Sequence, residues 1–333
     1  MSDIKINNQF IVSSQPNESI LDAILRSNYS HNYSCLNGRC NSCKARILKG
    51  KTIKLNQEIG LSKEEIESNY ILTCSRKADG NIDINTDHFY DTPPLKVQLM
   101  PSKIFSIRNF NKQIIELSLK VPNRLDFNFM PGQYVNLKYN NIERSYSILS
   151  YDSHNNILSI LCKKIEGGLF SQYLFEYAKE NDRILVNGPL GMINIFRDTS
   201  KNFIFLATGV GIAPIKCMLN SDVVKAKIIN KKISIFWGNR YHENFIYDFN
   251  QEKKNFDIDM FYCLSKKNGN FDHYNYGYIQ DIMFEKNIPL SDTIIYACGS
   301  NNMINETMSL CKSKGFDMNL FFSDSFLDTS SQQ

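Results

Sequence analysis

The stretch Cys35-Leu36-Asn37-Gly38-Arg39-Cys40-Asn41-Ser42-Cys43 decides how this chain is read. Its cysteines are spaced C-x4-C-x2-C, and a fourth, Cys74, follows about thirty residues later. Four thiolates at this spacing hold a [2Fe–2S] cluster. A tight loop places three sulfurs around a small inorganic core, and its backbone N–H groups offset the cluster's negative charge. Gly38 suits such a loop, because a residue without a Cβ takes positive φ at little cost. Two other readings of the same cysteines stand beside it. Structural zinc draws two close Cys pairs, and here only Cys40 and Cys43 form one. Free cysteines are also common as buried apolar residues. The spacing favours iron–sulfur, with Cys35, Cys40, Cys43 and Cys74 as the metal ligands.

The chain has 333 residues, enough for two or three domains with their own cores. A formal net charge of +4 is too small at this length to indicate nucleic acid or an anionic membrane as a partner. The N-terminus has no apolar segment of the signal-peptide kind, and no apolar run is long enough to span a bilayer. Nine cysteines, an odd number, without a secretion signal point to reduced thiols and a cytoplasmic protein. Cys162, Cys217, Cys263 and Cys311 lie in apolar stretches and are expected in cores.

Around the cysteine loop, Ile4–Ile6 and Phe10–Ser13 alternate as a short hairpin. Ser19–Asn28 has helical periodicity. Lys44–Lys49 reads as a strand turned by Gly50-Lys51, and Ser62-Lys63-Glu64-Glu65 as a capping box. Tyr70–Cys74 reads as a strand delivering the last ligand, with Ile82–Ile84 closing the sheet. Residues 1–90 thus form a small β-rich α+β domain that resembles the β-grasp [2Fe–2S] ferredoxins. That family usually has a small residue where this chain has Asn41. Charges within 1–90 nearly cancel; Arg39, Lys44, Arg46 and Arg76 lie in or beside the ligand segments, as a basic rim for an acidic electron acceptor or simply as solvated surface charges. Thr86–Leu95, stiffened by Pro93-Pro94, reads as a linker.

From Val97 the pattern becomes short strands (103–109, 113–120, 134–138, 143–149, 157–162) separated by Asn-rich turns, as in an antiparallel β-barrel. Pro131-Gly132-Gln133-Tyr134 leads to Arg144-Ser145-Tyr146-Ser147, where alternation puts Arg144 and Tyr146 on one face. A cation beside an aromatic ring can hold a diphosphate and cover a flat heterocycle. Glu166-Gly167-Gly168-Leu169-Phe170-Ser171 precedes an apolar helical stretch, Leu169–Ala178, so a helix N-terminus can face an anion there. Together these pieces resemble the FAD domain of the ferredoxin–NADP reductase superfamily, here residues 97–195. The resemblance implies that Arg144, Ser171 and the Gly168 turn hold the FAD pyrophosphate. It places Tyr146 against the flavin and ribityl chain, Ser147 near flavin N5 and Lys163 at the isoalloxazine edge. Gly188-Pro189-Leu190-Gly191 would close the domain.

After Asn202 the apolar run Phe203–Ala207 reads as a strand buried on both faces, leading to Thr208-Gly209-Val210-Gly211-Ile212-Ala213-Pro214 and a helix. A Gly-rich strand-to-helix turn is a phosphate cradle in a βαβ setting, although the strict G-x-G-x-x-G is absent. Further strands at 232–237, 257–264 and 293–298 alternate with helical patterns, which indicates an α/β doubly wound nucleotide-binding domain over 200–328. By the same resemblance Thr208, Gly209, Gly211 and Gly299 meet the nicotinamide nucleotide and Cys298 lies next to the nicotinamide. Trp237-Gly238-Asn239-Arg240 would flank the adenosine half, with Arg240 meeting either a phosphate or only a neighbouring carboxylate. Phe326, in Phe321-Phe322-Ser323-Asp324-Ser325-Phe326, would either lie on the flavin face or pack into the core. Ser147, Cys298 and Phe326 are therefore the expected catalytic set.

The order ferredoxin, FAD barrel, NAD(P) domain makes a multidomain α+β chain similar to single-chain ferredoxin–NAD(P)H reductases. It is most like those of the CDP-6-deoxy-Δ3,4-glucoseen reductase group. This implies an oxidoreductase that passes electrons from NAD(P)H, with NADH favoured, through FAD and [2Fe–2S] to a partner enzyme. In that group the partner is an iron–sulfur, PMP-dependent sugar dehydrase of 3,6-dideoxysugar synthesis. An oxygenase component is the alternative acceptor, since reductases of ring-hydroxylating dioxygenases and phenol-type monooxygenases share most of these marks. A non-enzymatic zinc- or flavin-binding module is the reading from another class.

Overall fold

A computed structural model of the chain describes residues 2–195, 200–266 and 272–326. They divide into two compact units. One comprises Met1–Leu95 with Gly191–Asn194 and Phe322–Ser325, and the other holds the rest.

In the first unit the strands are β1 (Ser2–Ile6), β2 (Phe10–Ser14), β3 (Ser30–His31), β4 (Lys44–Lys54), β5 (Tyr70–Leu72), β6 (Arg76–Asn85) and β7 (Phe89–Tyr90). The main sheet runs β2-β1-β6-β4-β5, and β3 pairs with β7. β6 is its middle strand, parallel to β1 and antiparallel to β4, so Ile82–Ile84 lie at the centre and do not close an edge. The alternation of Ile4, Ile6, Ile82 and Ile84 explains this, since all four face the buried cluster that also takes Ile20, Ala23 and Ile24 from helix α1 (Ile20–Arg26). Ser19 caps α1 by accepting from the Asp22 N–H at 3.0 Å. The capping box at Ser62 opens α2 (Lys63–Glu67) with both reciprocal bonds present. Gly50-Lys51 does not turn the chain. β4 continues through it to Lys54 with a break in register against β6, because antiparallel pairing of Lys51–Lys54 with Arg76–Asp79 extends the strand.

The second unit contains β8 (Gln98–Asn109), β9 (Ile114–Lys120), β10 (Tyr134–Tyr139), β11 (Ile142–Asp152), β12 (Ile157–Lys163) and β13 (Arg183–Leu190). They close a barrel in the order β10-β11-β12-β9-β8-β13. β13 was not anticipated as a strand; it supplies the closure by pairing with both β10 and β8. The helical stretch after Gly168 is one α-turn, α3 (Leu169–Gln172), passing into a π-turn at Tyr173–Tyr177.

The α/β part follows with β14 (Asn202–Thr208), α4 (Ile212–Asn220), α5 (Asp222–Ile228), β15 (Lys232–Asn239), α6 (Asn250–Lys253), β16 (Asp257–Leu264), β17 (Asn275–Tyr276), α7 (Ile279–Glu285), β18 (Thr293–Ser300), α8 (Asn301–Ser313) and β19 (Phe321–Phe326). Strands β17-β16-β15-β14-β18 are mutually parallel. Their near-continuous apolar runs are what burial on both faces requires. Barrel and sheet share one unit: Cys217 of α4 joins the barrel core, and the Asn111 side chain donates to the Glu243 carbonyl at 2.8 Å. Cys162, Cys263 and Cys311 are also buried in these cores. No described helix is long and apolar enough to cross a membrane.

A buried polar knot ties β3 to the segment before β7. His31 is fully buried, with its Nδ1 at 2.8 Å from the Asn32 carbonyl and Asn32 Nδ2 at 3.3 Å from His88 Nδ1. Burial lowers the His31 pKa from 6.5 to about 4, against the smaller opposite effect of its backbone hydrogen bond. The native imidazole is thus neutral where the unfolded one is charged. Between pH 6.5 and about 4 the unfolded chain binds the extra proton, so stability declines as pH falls through that window. The slope for one such group approaches about 1.4 kcal/mol per pH unit. Urea midpoints of the wild type should fall more steeply over this range than those of His31→Gln; parallel curves would contradict the assignment.

Candidate functional site

The cysteine loop lies between β3 and β4, and Cys74 sits in the single 3₁₀ turn Thr73–Ser75 that follows β5. The last ligand is therefore carried by a turn and not by the strand itself. Cys40, Cys43 and Cys74 are buried, and Cys35 is partly so. Backbone N–H groups of Arg39 and Cys40 each point at Cys35 Sγ from 3.3 Å, and that of Cys35 points at Cys40 Sγ from 3.4 Å. Hydrogen bonding couples Cys35 to Cys40 and Cys43 to Cys74. Within the first pair, the Cys40 partner and the surrounding N–H groups bring Cys35 down to about 7 despite burial. Cys40 is pushed up by Cys35 and then by burial. Within the second pair, hydrogen bonding lowers Cys74 and raises Cys43.

This donor set fits a two-iron cluster: two thiol pairs, one per iron, with N–H groups already aimed at sulfur. Among the described residues no group of three or more His, Cys, Asp or Glu side chains is arranged as a single-metal site. Gly38 has φ +77°, and a Cβ there would come within 2.0 Å of the Gln57 carbonyl, so the loop closes only with glycine. Leu36 and Asn41 also adopt positive φ. Asn tolerates that conformation better than most residues, which accounts for a departure from a small residue at position 41.

Two of the four cations expected to flank the ligands are neutralised by paired carboxylates. Lys44 is buried and paired with Glu65 at 3.0 Å. Arg76 is held by Glu58 at 2.6 Å, and the other oxygen of that buried carboxylate accepts from the Leu72 N–H at 2.8 Å. Arg46 donates to the Ser68 carbonyl and lies over the Tyr70 ring. Lys44 and Arg76 thus brace the segments around Cys74, whereas exposed Arg46 and partly buried Arg39 show no carboxylate partner among the described residues. Exposed Leu36 is the apolar neighbour of Arg39.

The second candidate site lies on the barrel. Arg144, Tyr146 and Ser147 are on β11, opposite Leu137, Val135 and Tyr134 of β10. The Arg144 guanidinium donates to the Glu143 carbonyl at 2.7 Å. Tyr146 packs on the barrel core 6.0 Å from the Phe170 ring, and burial pushes its pKa well up, so its hydroxyl stays protonated. Ser147 Oγ is buried without a hydrogen-bond partner. A buried unpaired hydroxyl is costly unless something completes it, and a polar flavin atom would do so. Lys163 is exposed at the end of β12. Ser171 Oγ accepts from the Ile165 N–H at 3.1 Å and lies 2.9 Å from the Gly168 carbonyl, so its hydroxyl already closes the Gly-rich turn.

At the end of β14, Thr208 meets Gly299 and Gly211 meets Cys298 of the adjacent β18, with Gly209 in the turn between them. Thr208 Oγ1 accepts from the Ser300 N–H at 2.9 Å. Gly299 has φ +138°, and a Cβ on it would fall 2.1 Å from Thr208 Oγ1. Cys298 is fully buried. Arg240 is exposed just beyond β15, apart from this group. Phe326 ends β19, and its side chain lies outside the described residues. Two features were not foreseen. Trp237 Nε1 donates to the Gly209 carbonyl at 2.9 Å, bracing the turn from β15. Asn239 Nδ2 is buried and unpartnered at the carboxyl end of the same strand, where ligands bind in open α/β sheets. A polar residue closing a buried apolar strand was the available signal for it.

Three family models match in the order the motifs imply. They are a 2Fe-2S iron-sulfur cluster binding domain over 4–79, an oxidoreductase FAD-binding domain over 101–195 and an oxidoreductase NAD-binding domain over 205–309. The chain is 30% identical over 95% of its own length and 95% of the relative's to a CDP-6-deoxy-L-threo-D-glycero-4-hexulose-3-dehydrase reductase of Yersinia pestis. This chain belongs to the single-chain iron–sulfur flavoprotein reductases. The reductase is an NAD(P)H-dependent electron-transfer enzyme whose domains bind [2Fe–2S], FAD and NAD. It is also 25% identical to a toluate 1,2-dioxygenase electron transfer component of Pseudomonas putida, covering 95% of this chain and 94% of that one. Among solved structures, the Amycolatopsis cytochrome P450 reductase GcoB has the same fold at TM-score 0.76 and 20% identity, covering 99% of this chain and 100% of that one.

Two outcomes follow from this geometry. Gly299→Ala forces Thr208 aside, so the variant should lose at least about 2 kcal/mol of stability, read from urea unfolding. Because two of the four cations beside the cysteine loop, Lys44 and Arg76, are internally paired, electron delivery to the acceptor should change only a few-fold between about 50 and 500 mM salt. A fall of a hundredfold or more would restore a charge-steered docking surface.

Proposed function

We propose that this reductase supplies electrons to the dehydrase that removes a sugar hydroxyl in 3,6-dideoxysugar synthesis, the role of CDP-6-deoxy-Δ3,4-glucoseen reductase. The supporting observation is end-to-end 30% identity to two Yersinia proteins that carry that dehydrase in their names, against 25% for the toluate dioxygenase component. In this reading residues 1–90 carry the cluster, 97–195 the FAD and 200–328 the nicotinamide nucleotide.

When bound, FAD takes two electrons from a hydride and the cluster carries them one at a time. The chain's own residues prepare the sites. Cys35, Cys40, Cys43 and Cys74 would hold the cluster, with the Arg39 and Cys40 N–H groups offsetting its charge. Ser147 would direct its unpartnered hydroxyl at the flavin edge, and Tyr146 would pack against the ring. Arg144, Lys163, Gly168 and Ser171 would frame the rest of the FAD. Thr208, Gly209, Gly211, Cys298 and Gly299 would position the nicotinamide end, with Arg240 toward the adenosine end and Phe326 beside the flavin. The buried barrel core beneath Tyr146 keeps water from one side of the site.

The oxygenase reading keeps a specific support in the full-length match to the toluate component. Reconstitution separates the two. The purified reductase should couple NADH oxidation to a sugar dehydrase and not to a ring-hydroxylating oxygenase; the reverse pattern sinks the sugar assignment. Cys43→Ser should abolish delivery to either acceptor while NADH-dependent ferricyanide reduction persists within about threefold, because that dye draws electrons from flavin directly. Retained delivery would remove Cys43 from the ligand set.

A further inference from the structure

The last described strand, β19, has its residues Phe322–Ser325 in the same compact unit as the cysteine loop, nearly three hundred residues away in sequence. Ser323 Oγ donates to the Cys40 carbonyl at 2.8 Å, and Ser42 Oγ donates to the Ser323 carbonyl at 3.1 Å. Ser34 Oγ donates to Asp324 Oδ1 at 2.5 Å. All four serine and aspartate side chains are buried, Ser323 to within 1% of complete. Phe322 packs its ring 6.1 Å from that of His88. The loop is thus tied at Ser34, just before Cys35; at Cys40 itself; and at Ser42, between Cys40 and Cys43.

A loop needs no such reach merely to fold, since its own turn and the Tyr33–Met192 backbone bridge already anchor it. The ties act on orientation. In a trans peptide the C=O and the following N–H point in opposite directions. Holding the Cys40 carbonyl toward Ser323 therefore sends the Asn41 N–H away from β19 and fixes the dipole of a peptide that belongs to a ligand. The same tie pins Cys40 itself, whose N–H points at Cys35 Sγ from 3.3 Å and whose Sγ faces the Cys35 N–H at 3.4 Å. N–H dipoles held at sulfur favour the more negative, reduced cluster, and hydrogen bonding is one of the terms that set its potential.

We propose that Ser323, with Ser42, is a positioning residue that sets the reduction potential of the cluster. The C-terminal strand is in this sense a part of the electron-transfer site. Without the Ser323 hydroxyl the Cys40 carbonyl loses its buried donor, the peptide relaxes, and its dipole is no longer held. The reduced form loses stabilisation relative to the oxidised one. The inference rests on the assignment of Cys35, Cys40, Cys43 and Cys74 as ligands.

The test is an anaerobic redox titration of the full-length holoenzyme, with the cluster followed by EPR and the flavin by absorbance in the same sample. Ser323→Ala should disfavour the reduced cluster by about tenfold, which for one electron is about 59 mV lower. Its EPR g-values should change while the flavin potential stays put, and Ser323→Thr, which keeps the hydroxyl, should return both to wild type. Ser42→Ala, which breaks only the reciprocal bond, should move the potential the same way by less. Wild-type potential and g-values in Ser323→Ala overturn the proposal. Should that variant fail to retain its cluster, Ser42→Ala decides alone, and an unmoved potential in it overturns the proposal equally. A wild-type protein without a [2Fe–2S] EPR signal would instead overturn the ligand assignment, which separates the two failures.

Discussion

Enclosing negative charge in a protein interior is the constraint on which this structure depends. Four thiolates holding a cluster could not be buried together unless something offset them, because an uncompensated buried charge costs several kcal/mol or shifts its pKa until it vanishes. The loop from Cys35 to Cys43 answers this with backbone N–H groups, and aiming them requires unusual backbone. Leu36, Gly38 and Asn41 all take positive φ within six residues. For a leucine that conformation costs about 1–2 kcal/mol, which the surrounding contacts must offset. The buried Glu58–Arg76 pair, the Glu65–Lys44 pair and the ties from β19 hold the neighbouring segments in place around this loop.

The same logic governs the second unit by different means. Where a phosphate-bearing ligand is to be held, the parallel sheet supplies strand ends and tight turns in place of charged cages. Gly299 approaches Thr208 so closely that no side chain fits, and Trp237 holds the Gly209 carbonyl from the neighbouring strand. On the barrel, Ser147 stays buried and unpaired beside a tyrosine that burial keeps protonated. Unfinished hydrogen bonding at Ser147 and Asn239 is what a ligand-binding surface looks like before its ligand is counted.

Much of this was legible along the chain, for local reasons. Cysteine spacing, the Ser62 capping box and the alternating isoleucines act over a few residues, so the ordering of elements and the four thiols could be read directly. Some asparagines also have a local role: Asn28, Asn69, Asn140 and Asn181 occupy positive-φ turn positions that glycine would otherwise fill. Features that depend on distant partners were misread. Lys44 and Arg76 looked like a rim because Glu65 and Glu58 lie elsewhere in the sequence. β13 went unseen because its partners are β8 and β10, and Gly50 suggested a turn because the long antiparallel ladder of β4 with β6 is set by pairing and not by propensity.

By itself the sequence determined the cofactor chemistry and the domain order, since ligand spacing, Gly-rich turns and hydrophobic periodicity are all short-range patterns. Tertiary structure alone decided which charges are available, which hydroxyls are satisfied and what the last strand does. Ser323 and Asp324 carry no signal of iron–sulfur chemistry in their own neighbourhood. They acquire it only because the folded chain carries them to the loop that holds Cys40, and hydrogen bonds depend on distance in space.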